Sequence, residues 1–187
     1  MANPAAQEIL ICVCGGIAAY KACEVVSALA KANLAVTVAM TPAATKFVGA
    51  LTFEALSGRR VYTDLWTSAD LHDVQHIRLA RSSHLICVAP ATANIIARMA
   101  AGISDDLVSS LLLAADPKKV LLAPAMNEGM WQHPATVRNV KTLSDWGIQL
   151  IGPESGWQAC RTIGAGRMSE PAAIAERIGA MLGQSLD

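Results

Sequence analysis

Apolar runs of strand length alternate along the chain with longer stretches in which apolar residues recur every three or four positions. The first run, EILICVC at 8–14, stops at Gly15-Gly16. AAYKACEVVSALAKA at 18–32 follows at helical spacing, so the pattern predicts strand, tight turn, helix. LAVTVAM at 34–40 reads as a second buried strand, AATKFVGALTFEALSG at 43–58 as one helix closed by Gly58, and HLICVAP at 84–90 as a third strand. ANIIARMAAG and DLVSSLLLAA read as helical pieces, and KKVLLAPAM at 118–126 as a fourth strand. PATVRNVKTLSDWG reads as a helix stopped by Gly147, and IQLIGP at 148–153 as a fifth strand. The chain ends in EPAAIAERIGAML, an amphipathic helix.

Strands that are apolar throughout, rather than at every second residue, are covered on both faces. Alternation with helices then predicts a doubly wound α/β fold, Rossmann-like or flavodoxin-like: a parallel sheet with helices on both sides in one domain over 1–187. Such sheets bind ligands outside the carboxyl ends of their strands. The chemically unusual stretches fall at those ends: CGGIAAYK, MTPAATKF, APATAN and APAMNEGMW, together with GPESGWQACRTIGAGRM at 152–168, which is too glycine-rich for a helix or strand.

Composition narrows the partners. Lys plus Arg and Asp plus Glu number 15 each, so no net field draws the chain to nucleic acid or to an anionic membrane, and a small-molecule partner is expected. Charged residues make up only 16% against 53% hydrophobic, which predicts apolar surface covered by further copies in a homo-oligomer. The first basic residue is Lys21 and no uncharged apolar run approaches the roughly 18 residues of a membrane span, so a cytoplasmic protein is expected. Five cysteines without a C-x-x-C pair argue against a disulfide framework or structural zinc.

Gly15 and Gly16 let backbone N–H groups approach an anion at the start of a helix. A strand–helix junction needs glycine for its own bend too, and spacing does not choose between the two. The turn lacks G-x-G-x-x-G and a P-loop ending, and the second strand ends in Met40-Thr41 without a ribose-binding acid, so a mononucleotide phosphate fits better than a dinucleotide. His72 and His76 lie four apart, a metal spacing on a helix, but no second ligand cluster accompanies them and two solvated histidines is the plainer reading. Asn94 and Asn127 each follow a strand-end proline by four or three residues; their amides suit a planar heterocycle or a carboxylate, and they suit turns equally well. Cys12, Cys14, Cys23 and Cys87 read as small core hydrophobes. Cys160, among glycines, reads either as part of a lid or as an incidental exposed thiol.

Taken together, GGIAAYK, HIRLAR, PATAN, GISDDL, PAMNEGMW and ACRTIGAGRM, in this order from about residue 8 to 182, resemble the homo-oligomeric flavin-containing cysteine decarboxylases, most closely the phosphopantothenoylcysteine decarboxylases of coenzyme A synthesis. The resemblance implies FMN held by Gly15, Gly16, Ile17, Thr41, Phe47, Ala91, Thr92, Ala93, Asn94 and Ala125. It implies Asn127, Met130, Ala159 and Arg167 as contacts for phosphopantothenoylcysteine, with His76 and Cys160 catalytic and Cys160 donating a proton from a substrate flap at about 154–169. The implied reaction passes through a thioaldehyde, loss of carbon dioxide and reduction of an enethiol, in a trimer or a multiple of trimers. Arg161 stands where the family usually has glycine, and the ligase domain that many bacterial members carry is not part of this sequence. Decarboxylation of a peptide C-terminal cysteine, a flavin prenyltransferase and a non-catalytic regulatory subunit are the competing readings; against the first, relatives that release the enethiol lack the cysteine.

Overall fold

A computed structural model describes residues 7–66 and 74–184. Its centre is a six-stranded parallel sheet formed by β1 (Glu8–Val13), β2 (Ala35–Met40), β3 (Val61–Tyr62), β4 (Leu85–Ala91), β5 (Val120–Pro124) and β6 (Gln149–Leu150), in the order β3-β2-β1-β4-β5-β6. This is the doubly wound Rossmann order. The chain moves outward from β1 in one direction, then returns to β4 and moves outward in the other.

The apolar runs divide their side chains between two cores. Ile9, Ile11 and Val13 face one side with Val36, Val38, Met40, Leu85 and Cys87. Leu10, Cys12 and Cys14 face the other with Ile86, Val88, Val120 and Leu122. The first core is closed by α1 (Ala19–Lys31), α2 (Ala50–Ser57) and α8 (Pro171–Leu182), through residues such as Val26, Phe53 and Ile174. The second is closed by α3 (Gln75–Ser82), α4 (Ala93–Ala101), α5 (Leu107–Ala114) and α7 (Pro134–Asp145), through Leu79, Ile95, Leu111 and Leu143. Cys12 and Cys14 share a face as their spacing predicts, and Cys23 is only partly buried.

Three local expectations are corrected. The segment 43–58 is not one helix: Ala44–Lys46 form a single 3-10 turn, and α2 starts afresh after Gly49, whose backbone is extended at φ −70 and ψ 143. The Thr41 hydroxyl accepts from the Ala44 N–H at 3.2 Å, which ties the turn to the end of β2 instead of to α2. The stretch after β6 is not irregular, because β7 (Glu154–Trp157) and β8 (Ile163–Arg167) pair antiparallel as a hairpin. The sheet also carries a sixth strand, the two-residue β3 at its edge, too short to give a periodic signal.

Candidate functional site

The chain reverses direction between β1 and β4, and a cleft of about 1070 Å³ opens at that point. Small-molecule sites run to about 300–1,000 Å³, so the cleft has room for a cofactor and a substrate side by side. One wall is the β1–α1 turn, with Cys14, Gly15, Gly16, Ile17 and Lys21. A second consists of Thr41, Pro42 and Ala43, and a third of Thr92, Ala93, Asn94 and Arg98. Ala125, Met126, Asn127 and Met130 form the fourth, and the hairpin covers one side with Trp157 to Cys160 and Arg167.

The two glycines of the first turn serve different ends. A Cβ on Gly15 would clash with Ala43, so glycine is needed there for the β1–α1 and β2 loops to pack backbone against backbone. A Cβ on Gly16 would meet only Thr92 Cγ2 at 3.5 Å, an ordinary contact, so nothing in the chain's own packing demands glycine. Its bare backbone stands on the cleft wall beside α1, whose start carries no side-chain cap. That is the arrangement an approaching phosphate needs. Beside Gly16, Thr92 caps α4 by accepting from the Ile95 N–H at 3.4 Å.

Asn127 caps the short helix α6 (Glu128–Trp131), its Oδ1 accepting from the Gly129 N–H at 2.8 Å. This leaves its Nδ2 turned toward the hairpin, where it donates to Cys160 Sγ at 3.3 Å. The sulfur also lies 3.0 Å from Thr162 Oγ1. These hydrogen bonds, from Thr162 first and then Asn127, lower the Cys160 thiol below its ordinary value by favouring the thiolate. Burial does the reverse to Cys14 and Cys87, each pushed up to about 12, so both are inert at neutral pH.

Charge is arranged around the cleft in closed pairs. Arg98 bridges to Asp105 and Asp106, and Asp106 caps α5 in a reciprocal box with Ser109. Lys21 bonds Glu170 at 3.2 Å, Glu170 bonds Arg167 at 2.8 Å, and Arg167 reaches Glu154 at 3.1 Å. The cations, Lys21 foremost, hold the Glu170 carboxyl below the usual range. Arg167 Nε is buried without a hydrogen-bond partner, against the space that Gly156 leaves empty.

Of the residues expected at a site, Gly15, Gly16, Ile17, Thr41, Thr92, Ala93, Asn94, Ala125, Asn127, Met130, Ala159, Cys160 and Arg167 line this one cleft. Ala91 is buried in β4 just behind it. Phe47, half exposed, and His76, on α3, do not line the cleft within the single chain. His72 lies outside the described residues, and among those described no group of His, Cys, Asp and Glu gathers as a metal site. Sequence reading missed Gln158, a buried amide in the hairpin tip that bonds Asn127, α6 and β8, because a lone glutamine in a loop carries no spacing signal. It also passed over Lys21 and Arg98, whose acidic partners only the fold brings together.

Comparison with known proteins follows the same lines. A Bacillus subtilis protein named coenzyme A biosynthesis bifunctional protein CoaBC is 47% identical over 165 residues, covering 88% of this chain and 40% of its own length. The chain therefore spans less than half of that curated relative. Among solved structures, a cysteine-to-serine mutant of PPC decarboxylase complexed with pantothenoylaminoethenethiol superposes with a TM-score of 0.85 at 28% identity, over 96% of this chain and all of the other. The FMN-dependent cysteine decarboxylase SpaF superposes with a TM-score of 0.79 at 28% identity, over 94% of this chain and 97% of the other. The family model described as Flavoprotein matches residues 2–183, nearly the whole sequence, and the chain belongs to that family.

Proposed function

We propose that the protein is an FMN-dependent decarboxylase that converts 4'-phosphopantothenoylcysteine to 4'-phosphopantetheine in coenzyme A biosynthesis. The observation that carries this reading is the contact of the Asn127 amide with the Cys160 sulfur inside a cleft that the bare Gly16 backbone also lines. It is supported by the likeness to a PPC decarboxylase and to an FMN-dependent cysteine decarboxylase. FMN when bound supplies a two-electron acceptor and donor, the electron sink that loss of carbon dioxide from a cysteine unit needs.

The residues that would hold FMN are Gly15, Gly16 and Ile17 at the phosphate, Thr41 with the Thr92–Asn94 turn, and Ala125 along the wall. Asn127 has an amide nitrogen that can donate to the cysteinyl carboxylate, and Met130, Ala159 and Arg167 complete the substrate side. The hairpin over 154–169 acts as the substrate flap of a single domain. Cys160 Sγ–H gives the proton that the enethiol carbon takes up on the way to the saturated product. A thiol made more acidic by Thr162 and Asn127 is a better donor than an ordinary one.

His76 would act in the cleft of a neighbouring copy in a trimer or a multiple of trimers. Ile17, Tyr20, Phe47, Leu51 and Met130 are large, apolar and half or more exposed, and this exposed apolar surface supports that assembly. Among the described residues no helix is long and apolar enough to cross a membrane, and a cytoplasmic location goes with the proposed reaction.

The test is a substrate panel on the purified protein loaded with FMN: phosphopantothenoylcysteine, a peptide ending in cysteine, and a prenyl phosphate. The proposal expects carbon dioxide from the first in preference to the second and no reaction with the third. Preference for the peptide would transfer the protein to the peptidyl branch, and prenylation would defeat the decarboxylase reading.

A further inference from the structure

Gln158 is 8% exposed, although it sits in the tip of a hairpin whose neighbours Ala159, Cys160 and Arg161 face solvent. Its amide is bonded on both ends. Nε2 donates to the carbonyls of Ala165 at 2.8 Å and Gly164 at 3.3 Å, both in β8. Oε1 accepts from the Glu128 N–H at 3.3 Å, from Asn127 Nδ2 at 3.5 Å and from Cys160 Sγ at 3.5 Å. Two carbonyls on one side and a backbone N–H on the other permit a single orientation of the amide, because only an NH₂ can face two acceptors.

That orientation propagates. With Gln158 Oε1 facing Asn127, the nitrogen end of the Asn127 amide is drawn toward it, while the Gly129 N–H holds the oxygen end away. The nitrogen end is the one that meets Cys160. If the Asn127 amide were reversed, its oxygen would face the sulfur and favour the protonated thiol instead. We propose that Gln158 is a positioning residue that fixes the Asn127 amide with its nitrogen toward Cys160 and so readies that thiol to give up its proton. The proposal rests on the reading of Cys160 as proton donor, but its geometry and its test need neither substrate nor turnover.

The charged groups facing this corner are Arg161 on the tip, Glu128 on α6, which accepts from the Ala165 N–H at 3.3 Å, and the Arg167–Glu154 pair at the hairpin base. The causes that lower the Cys160 thiol are hydrogen bonds, not these charges. The shift is therefore sensitive to how the amides are turned.

The experiment is the pH profile of Cys160 alkylation by iodoacetamide in the full chain, with the modified site read by peptide mass mapping. In Gln158→Leu the profile should move to higher pH, slowing alkylation about tenfold at a pH below the wild-type midpoint. Gln158→Glu, which cannot donate to Gly164 and Ala165 and adds a negative charge, should move it the same way. Asn127→Ala should also raise the profile, and Gln158→Leu added to Asn127→Ala should raise it no further, because only the direct Gln158 contact with the sulfur is then lost, and that contact accepts from the S–H and favours the protonated thiol. A wild-type profile in Gln158→Leu overturns the proposal, and so do shifts of Gln158→Leu and Asn127→Ala that add. Absence of decarboxylation with this thiol behaviour intact would instead count against the function proposed above.

Discussion

At the residue scale the account turns on Cys160. Its cue in the sequence is contrast: four cysteines sit in apolar strands or a helix, and one among glycines. That contrast marks Cys160 as unlike the others, but the partners that tune it come from α6 and from two residues along the tip. Cys160→Ser should release carbon dioxide once and then stop, accumulating the enethiol lighter than the normal product by two hydrogens, since a hydroxyl is a far weaker acid. Normal product at the wild-type rate would show that another group donates. The sign of the pH dependence follows: the thiol carries its proton below its pKa, which lies under the ordinary 9.0, so the reductive step should fade as pH rises through that lowered value. Single-turnover measurement of product against enethiol across pH checks it. Arg161 adds a second residue-scale prediction. It adopts a left-handed backbone, φ 65, where the resembled family usually has glycine. Relief of about 1 kcal/mol of strain in Arg161→Gly is offset by glycine's greater loss of chain entropy, so stability should change by less than about 1 kcal/mol. The variant should keep kcat and change KM, and thermal melts beside steady-state kinetics test both halves.

At the scale of elements, the core strands and the long helices were legible because burial on one or both faces leaves a period in the sequence. The hairpin was not, because β7 and β8 carry Gly156, Gly164 and Gly166 in place of alternating apolar residues. Its order comes from docking: Met126 N–H donates to the Gly166 carbonyl at 2.9 Å, the Glu128 carboxylate accepts from the Ala165 N–H, and the Glu128 N–H donates to Gln158 Oε1. The split of 43–58 was hidden for a similar reason, since the Thr41 hydroxyl that captures Ala44 leaves no periodic trace. Gly166 is the sharpest test of the docking. Its φ is +131 and a Cβ there would clash with the Met126 carbonyl, so Gly166→Ala should detach the hairpin while leaving the doubly wound sheet folded. The expected result is retained far-UV circular dichroism and FMN binding with a loss of turnover of roughly a hundredfold or more, the order that a positioned acid contributes. Wild-type turnover would remove the hairpin from the mechanism.

For the whole molecule, the sequence indicated the location of the site through five strand ends, and the reversal of direction between β1 and β4 brings those ends to one cleft. It did not place His76, because α3 does not line the cleft of its own chain and no property of a single chain's sequence encodes where a second copy sits. Light scattering should give a trimer or a multiple of one, and a monomer at micromolar concentration would remove that claim. In such an assembly, His76→Asn and Cys160→Ser should each be inactive alone, and mixed assemblies should recover part of the activity if the two residues meet across copies; no recovery would place both in one protomer. The measurement that bears most directly on the central claim is product identification by mass after multiple turnovers of the FMN-loaded protein with phosphopantothenoylcysteine. The account predicts carbon dioxide and 4'-phosphopantetheine in equal amounts, well in excess of enzyme. Unchanged substrate, or enethiol as the final product of the wild-type protein, would contradict it.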